Sequence, residues 1–554
     1  MVNKWIICGF LAAAFVAMAA CAEKGHDIDA ALASISTESL SKNTEILSSD
    51  RFEGRAPASR GEELTVNFMK EEFQKLGLEP GNGESFFQEV PMVEINSVPT
   101  DKLTIKGHGG SNAYAFKDDF TALTLRVVDE VSIEDSEMIF VGYGIIAPEY
   151  EWNDYSGIDV KGKTVLMLVN DPGFATEDPE LFTGRAMTYY GRWTYKYEEA
   201  ARQGAAAAFI IHETEPAAYG WGVVRNSFTG SKFNQASEDK NMSRCAVEGW
   251  LTLETSTEIL NKAGQNIEEL KALAMARGFK AVPLGLTASL HMKNTIRESE
   301  SRNVIGVIPG SERADEYIFY LAHWDHFGID PSFEGDQIFN GALDNATGTA
   351  GLIELAKAYQ SLGSPTRRSI AFLAVTGEEQ GLLGSLYYAT HPTYPTSKIV
   401  AAINMDALNI YGRSKDVAVV GYGKSELDDY LKEAAAEQGR RVEPESTPEK
   451  GSFYRSDHFS FAKQGIPALY ASSGDDHMEH GKEWMRQQKE KYLSENYHKP
   501  SDEFDPNWDL SGAIEDLLLL FKVGYKLSME DTFPTWKEGA EFKAVREADF
   551  KKNE

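Results

Sequence analysis

Several side chains that bind metals or move protons stand directly after apolar runs or in the loops between them. The run YIFYLA leads into His323-Trp324-Asp325, SIAFLAV leads into Glu378-Glu379, and IVAAIN leads into Met405-Asp406. Asp344 stands in the small-residue segment FNGALDNATGTAG, and His498 stands far downstream in NYHKPSDEFD. Together they supply histidine and carboxylate side chains without a reactive cysteine, so the chemistry they could do is that of a divalent metal.

Oxygen and imidazole ligands without thiolates suit a catalytic Zn²⁺ ion and exclude a closed, cysteine-rich structural zinc site. Asp344 is the natural bridge between two ions, because a carboxylate can bind both and its neighbours Gly341 and Gly348 allow close approach. Asp325 is predicted to accept the second ring N–H of His323 and so to fix its tautomer. The remaining histidines of interest follow no strand of their own and are interpreted as loop residues: His326, His477 and His480.

The elements that must position these residues alternate between strand and helix from about residue 303 onward. Continuous Val, Ile, Leu and Ala runs separated by helical stretches indicate a buried, largely parallel sheet covered by helices on both faces. The predicted fold class is therefore α/β with a mixed, largely parallel central sheet. Ligands bind at the carboxyl ends of strands in such sheets, where the residues named above stand.

The pattern of apolar, polar and charged residues changes along the chain and predicts several structural units. Residues 1–21 are predicted to be a signal peptide, residues 131–292 a separate β-rich unit, residues 293–530 the α/β domain against which residues 30–130 pack as a layer, and residues 531–554 a charged tail, solvated or helical.

The beginning of the chain predicts export. Lys4, an apolar run and small residues precede Cys21, and Ala19-Ala20-Cys21 is similar to a bacterial lipobox that would make Cys21 the lipidated first residue. Ordinary signal cleavage nearby is the alternative, which would give a secreted or periplasmic protein without an anchor. No later apolar run reaches the roughly 20 residues that span a bilayer. Contact with a membrane, the outer membrane in this interpretation, is expected only through the anchor at Cys21.

The composition also limits the classes of molecule that the protein could bind. A formal charge of −30 over 554 residues argues against nucleic acid, whose binding needs clustered Lys and Arg. Hydrophobic residues make up 42% of the chain, as in a globular protein of more than one domain. The oligomeric state is not determined by these features.

The motifs HWD, GALDNATG, GEEQGLLGS, NMD and YHKPSDE, in this order, closely resemble the co-catalytic di-zinc exopeptidases of metallopeptidase family twenty-eight. Residues 140–168 and 196–211 resemble the protease-associated domain often inserted in that family. The resemblance implies two zinc ions per chain: His323 and Asp406 bind one, Glu379 and His498 bind the other, and Asp344 bridges them. It also implies that Glu378 is the general base, that Asp325 is the orienting carboxylate, and that Tyr497 hydrogen-bonds the reacting carbonyl.

These expectations describe hydrolysis of a peptide bond by a zinc-activated water whose proton Glu378 accepts. The expected enzyme is an exported aminopeptidase acting on short peptides. A glutamate-carboxypeptidase-like enzyme is the first alternative, with Arg413 and Arg455 as candidate carboxylate-binding residues. A non-catalytic, receptor-like binding protein of the same fold is the second, and a single-zinc glutaminyl cyclase is disfavoured by the complete ligand set and the insert.

Overall fold

The computed structural model describes residues 26–553. The predicted signal peptide and Cys21 lie outside the described residues, so export and lipidation remain predictions.

Sixteen α-helices occur in the described part of the chain. They are α1 (Ile28–Ser34), α2 (Thr37–Leu47), α3 (Arg60–Lys75), α4 (Pro172–Thr176), α5 (Trp193–Arg202), α6 (Thr214–Ala217), α7 (Trp221–Ser227), α8 (Leu253–Lys262), α9 (Ile267–Ala274), α10 (Thr347–Gln360), α11 (Leu383–Thr390), α12 (Leu427–Glu437), α13 (His458–Lys463), α14 (Gly481–Glu495), α15 (Ser511–Met529) and α16 (Lys543–Asn553). None of these described helices is both long enough and apolar enough to cross a membrane.

The strands alternate with these helices. They are β1 (Glu79–Pro80), β2 (Phe87–Pro99), β3 (Leu103–Gly107), β4 (Gly110–Tyr114), β5 (Phe120–Leu123), β6 (Glu130–Phe140), β7 (Ile146–Ala147), β8 (Trp152–Asn153), β9 (Thr164–Leu168), β10 (Ala207–Ile211), β11 (Ser231–Gln235), β12 (Val247–Leu251), β13 (Val282–Ile308), β14 (Arg313–His323), β15 (Gly328–Ile329), β16 (Ile338–Phe339), β17 (Arg368–Val375), β18 (Ile399–Asn404), β19 (Asp416–Val419), β20 (Arg441–Pro444) and β21 (Ala468–Ser473).

Four parallel strands form the centre of the catalytic sheet, in the order β17, β14, β18 and β21. Antiparallel strands flank them: β13 pairs with β17, and β19 pairs with β21. All eight residues of β17 are buried. On β14, Ile318 and Tyr320 face one apolar core while Phe319 and Leu321 face another, so helices cover both faces. This confirms the predicted fold class.

The insert contains its own parallel sheet, in the order β6, β9, β10 and β12, with a separate apolar core. The strand β13 connects the two units: its first half pairs with β6 and its last residues pair with β17. The predicted unit boundaries at 130/131 and 292/293 therefore fall within β6 and β13.

The last residues of the described chain pack against the body of the protein and are not a solvated tail. Trp536 and Phe542 are buried, and the Trp536 indole N–H donates to the carbonyl of Gly465 over 2.7 Å. The many Lys and Glu residues of this segment predicted a charged tail and gave no indication that its aromatic side chains are buried. The helix α16 follows Phe542.

Candidate metal centre

Three neighbouring parallel strands deliver the first candidate residues to one edge of the catalytic sheet. His323 is the last residue of β14, Glu378 and Glu379 follow β17 after a two-residue turn, and Asp406 follows β18. Because β14 lies between β17 and β18, its histidine stands between the two acidic loops. The sheet order thus brings together residues that are more than 80 positions apart.

Asp344 lies between the two histidines, one carboxylate oxygen toward each. Its Oδ1 is 3.3 Å from His323 Nε2, and its Oδ2 is 3.3 Å from His498 Nε2. His323 Nε2 is also 3.3 Å from Asp406 Oδ1, and His498 Nε2 is 3.1 Å from Glu379 Oε2. The arrangement is two half-sites that share one carboxylate, which is the grouping that the resemblance implied.

Small residues allow the chain to approach Asp344 closely. Gly341 has a φ of 52°, in the left-handed region that favours glycine. A Cβ atom on Gly348 would lie 2.6 Å from the carbonyl oxygen of Met405, next to Asp406. A side chain at Gly348 would therefore push α10 away from the loop that carries Asp406.

The electrostatics of this cluster are dominated by its carboxylates. Although burial alone would raise it, the neighbouring His323 and His498 hold the pKa of Asp344 well below its usual range. Burial alone would lower the pKa of His323, but Asp344 and Asp406 raise it well above the usual value. The pKa of His498 is raised to about 9 by the same kind of contact, with Asp344 and Glu379, against the opposing effect of burial.

Asp325 is in the site, but its contacts differ from the prediction. The ring Nδ1 of His323 lies 3.2 Å from the backbone carbonyl of Asp325, whereas its carboxylate Oδ1 is 3.8 Å away. The carboxylate instead accepts the backbone N–H groups of Glu378, over 3.1 Å, and Glu379, over 3.4 Å. Asp325 therefore fixes the turn that carries both glutamates.

The two adjacent glutamates have different surroundings. Glu379 contacts two histidines, whereas the carboxylate of Glu378 has no hydrogen-bond partner among residues 26–553. Burial raises the pKa of Glu378 well above its usual range, and the negative charges of Asp406 and Glu379 act in the same direction. Glu378 is thus a carboxylate beside the half-sites that no other side chain engages.

His326 lies in a loop, as interpreted from the sequence, but it also belongs to this cluster, which the sequence did not indicate. It is fully buried, and its Nδ1 lies 2.7 Å from Glu379 Oε1, the oxygen that does not face His498. His477, in contrast, uses both ring nitrogens locally: Nδ1 accepts two backbone N–H groups and Nε2 donates to the carbonyl of Tyr411. The spacing of His326, three residues after His323, is the only signal in the sequence that could have indicated its place.

Two residues outside the predicted set hold the loops of the site. Arg55 is buried and donates to the carbonyls of Trp324, Asn340 and Gly341, and to a fourth on α2. Asp502 is also buried, and its carboxylate accepts the backbone N–H groups of Leu343 and Asp344, each over 3.1 Å. Burial raises the pKa of Asp502 to about 6.

Tyr497 stacks on His498, with ring centroids 3.7 Å apart and planes inclined by 27°. The Phe327 ring meets His498 edge-on at 4.7 Å. His498 is thus held between two aromatic rings. Tyr497 is 41% exposed, and its hydroxyl group makes no hydrogen bond to any described residue.

The donor set fits zinc. Two ligands that are each about 2.0–2.1 Å from one tetrahedral ion are about 3.3 Å apart, and the nitrogen–oxygen separations of both half-sites are 3.1–3.3 Å. The buried Nε2 of His498 makes no hydrogen bond despite lying between two carboxylates. Buried, unpartnered donors and crowded carboxylates are costly unless a cation lies among them. We conclude that these residues fit divalent metal.

Comparison with known proteins agrees with this geometry. Residues 303–522 match the model of Peptidase family M28. Aminopeptidase YwaD of Bacillus subtilis is 28% identical over 224 residues, which cover 39% of this chain and 43% of YwaD. A glutamate carboxypeptidase 2 homolog of Caenorhabditis elegans is 29% identical over 207 residues, 35% of this chain and 24% of the relative. The aligned segments thus span less than half of these curated relatives.

Two solved structures also align with most of this chain. An aminopeptidase from Aneurinibacillus sp. strain AM-1 aligns with a TM-score of 0.49 at 18% identity, over 91% of this chain and 97% of that one. A peptidase M28 precursor from Shewanella amazonensis aligns with a TM-score of 0.42 at 16% identity, over 92% and 97%.

The matched segment, residues 303–522, contains all the candidate ligands. Over this segment, which is less than half of the chain, the protein is similar to Peptidase family M28.

Proposed function

We propose that this protein is an exported zinc-dependent exopeptidase that removes residues from the amino end of short peptides. The observation that carries the proposal is the pair of half-sites that share Asp344, with the unengaged carboxylate of Glu378 beside them. Names of relatives support it, since YwaD is an aminopeptidase and a fungal relative, from Pyrenophora teres, is a probable zinc metalloprotease.

His323 and Asp406 would hold one zinc ion, Glu379 and His498 would hold the other, and Asp344 would bind both. Zinc, when bound, supplies Lewis acidity that polarises a scissile carbonyl and lowers the pKa of water. His326 would hold Glu379 in the ligating orientation by a hydrogen bond to its other oxygen. Metal analysis of protein purified without chelators tests the stoichiometry: we expect two zinc ions per chain, and a value well below two contradicts the scheme and favours a non-catalytic binding protein.

Glu378 would act as the general base. Its carboxylate is free to take the proton of the attacking water and to return it to the leaving amine, while Asp325 holds the Glu378 backbone in place. Tyr497 would donate a hydrogen bond from its free hydroxyl to the oxygen of the reacting carbonyl. Each residue has one task, which separate substitutions can distinguish.

The preference for an amino end follows from charge. Carboxylates such as Glu378 and Asp406 surround the reacting centre and favour the ammonium group of a substrate. Amino-acid amides and free peptides should be hydrolysed, and the same peptides with an acetylated amino end should not. Equal cleavage of free and acetylated peptides contradicts the aminopeptidase assignment.

A second candidate, a carboxypeptidase, is favoured by two arginines. Arg192 of the insert and Arg455 of the catalytic domain lie near each other, and burial together with the charge of Arg455 lowers the pKa of Arg192 to about 9. Neither has an ion pair with any residue of the described chain. Arg413, the other predicted candidate, is exposed and bound to Glu515 at 2.5 Å, so it is not available.

Arg455 is only two residues along the chain from Asp457, a buried acid beside the metal centre. A substrate carboxylate bound by the two arginines would therefore lie near that centre. Hydrolysis of peptides with a free or an amidated carboxyl end separates the two candidates. An Arg455→Gln variant should affect both kinds of peptide equally if the enzyme is an aminopeptidase. A selective loss on the free acids, by about tenfold or more for a lost charged hydrogen bond, supports the carboxypeptidase.

We also propose that the mature protein is attached to a membrane by lipid at Cys21. The supporting observation is the small-residue sequence before Cys21, after an apolar run. Expression with labelled fatty acid should label the wild-type chain and not a Cys21→Ser variant. An unlabelled wild-type chain in the periplasm or the medium would indicate ordinary signal cleavage.

A further inference from the structure

The insert contains a cavity of about 550 Å³ that shares no residue with the metal centre. It lies at the carboxyl ends of β6, β9, β10 and β12, where Tyr143, Leu168, His212 and Leu253 line it. Ligands commonly bind at this end of a parallel sheet, and the volume is in the range of small-molecule sites. The cavity is therefore placed and sized as a binding site.

Two buried side chains present unused hydrogen-bonding atoms to the cavity. Tyr143 is 5% exposed, and its hydroxyl has no hydrogen bond to any residue between 26 and 553. His212 is also 5% exposed; its Nε2 lies 3.0 Å from the carbonyl of Tyr219, which requires Nε2 to be the donor and leaves Nδ1 as an acceptor. Burial lowers the pKa of His212, which keeps the ring neutral. Both residues are thus mostly buried, line the same cavity and keep one polar atom free of internal hydrogen bonds.

The charge of the lining is negative. It carries four carboxylates and two cations: Asp171, Glu177, Glu213, Glu215, Arg185 and Lys271. Both cations are already engaged, Arg185 by Glu177 and Glu215, and Lys271 by Glu213 over 2.7 Å. A free anion would find no unpaired cation here.

Beneath the floor of the cavity, the buried ammonium of Lys196 donates to the carbonyl of Tyr143 over 2.5 Å. Its charge is offset by two nearby buried carboxylates, first that of Asp171, which lines the cavity, and then that of Asp154. The cavity thus keeps an excess of negative charge and of hydrogen-bond acceptors, with apolar walls from Leu168 and Leu253.

We propose that this cavity binds a primary ammonium ion carried on a short aliphatic chain. The ammonium would donate to the Tyr143 hydroxyl, to His212 Nδ1 and to the Glu213 carboxylate, and the aliphatic chain would lie on the apolar wall. A lysine side chain of a peptide and a diamine share this chemistry. The inference does not depend on the proposed peptidase activity.

Calorimetric titration of the full-length, metal-loaded protein tests the inference with three probes. Nα-acetyl-lysine methylamide and 1,4-diaminobutane carry the ammonium, whereas Nα-acetyl-norleucine methylamide has an aliphatic chain without it. We expect saturable binding of at least one amine and at least about tenfold weaker binding of the norleucine compound, because a charged hydrogen bond is lost. The tighter of the two amines identifies the source of the ligand.

Variants locate the binding. Tyr143→Phe removes only a hydroxyl that makes no internal hydrogen bond, so folding should be unchanged while affinity falls by about tenfold. Glu213→Gln should weaken binding to a similar extent. Glu180→Gln is the matched control, because Glu180 is exposed and outside the lining, and its affinity should stay within about twofold of wild type.

Three results would overturn the inference. The first is equal affinity for the norleucine compound, which would mean that the ammonium is not recognised. The second is unchanged amine binding in both Tyr143→Phe and Glu213→Gln, which would place the amine elsewhere, for example in the acidic metal centre. The third is binding of Ca²⁺ and of neither amine, which would make the cavity a metal site.

Discussion

Replacing each of the two adjacent glutamates by glutamine should separate proton transfer from metal binding. The carboxylate of Glu378 makes no hydrogen bond within the described chain, so glutamine at this position removes no hydrogen bond. We expect a change in the free energy of unfolding of about 0.5 kcal/mol or less. Zinc content should stay at the wild-type value. The turnover number should fall by a factor of about 10² or more, which corresponds to about 2.7 kcal/mol of lost transition-state stabilisation.

Glu379→Gln is the matched control, because it makes the same chemical change one residue further along. Glu379 contacts His326 over 2.7 Å and His498 over 3.1 Å, so glutamine would place an N–H₂ group against one of these rings. Each charged hydrogen bond contributes about 1.5–3 kcal/mol. Zinc affinity should therefore fall by about tenfold or more, and activity should fall with it.

The assay combines zinc analysis after gel filtration, chelator competition, thermal unfolding and hydrolysis of an amino-acid amide at saturating metal. Excess zinc should restore part of the activity of Glu379→Gln and none of that of Glu378→Gln. If Glu378→Gln loses zinc as Glu379→Gln does, or keeps activity within about tenfold of wild type, the assignment of separate roles is refuted.

Three further substitutions test the surroundings of the site. His326→Phe removes the donor to Glu379 and should weaken zinc binding by about 10–100-fold in a chelator competition, with the fold intact by circular dichroism. Arg55→Met removes a donor from four buried carbonyls and should lower the free energy of unfolding by several kcal/mol in urea, whereas Arg55→Lys should recover part of it. His458 is buried with neither ring nitrogen hydrogen-bonded, and burial lowers its pKa to about 3, so its contribution to stability is complete above about pH 6.5 and is lost as the pH falls toward 3. Between pH 6.5 and 5 the wild type should lose about 1.6 kcal/mol more than His458→Phe in denaturant titrations, and parallel pH profiles of the two proteins would contradict this.

The sequence predicted the parts of the site that strands position. Continuous apolar runs such as SIAFLAV fit a strand buried on both faces, and the residues that follow parallel strands must meet at one edge of the sheet. His323, Glu379 and Asp406 could be grouped by that reasoning, and the structure brings them together. His498, whose loop after α14 follows no strand, was a candidate by its residue type, and the family resemblance supplied its place beside Glu379.

The residues that the sequence patterns did not indicate are buried by packing against distant parts of the chain. Arg55 lies in a polar segment some 270 positions before the carbonyls it binds, and nothing in its local pattern indicates burial. The chain leaves β14 at Trp324, and the sequence pattern does not predict the path of the chain beyond that residue. The pattern therefore gave no indication that His326 contacts the cluster. For the same reason the composition of residues 531–554 indicated charge but not the anchoring of Trp536.

These missed contacts show that the metal centre depends on more of the chain than the segment matched by the family model. Residues 303–522 contain the candidate ligands, but Arg55, which binds the carbonyls beside His323 and Asp344, comes from the N-terminal segment. The strand β13 begins in the insert and pairs along β17, which carries the two glutamates. Because a buried guanidinium and a sheet neighbour cannot be removed without leaving unpaired polar groups, the isolated segment 303–522 would lack the contacts that shape its own site.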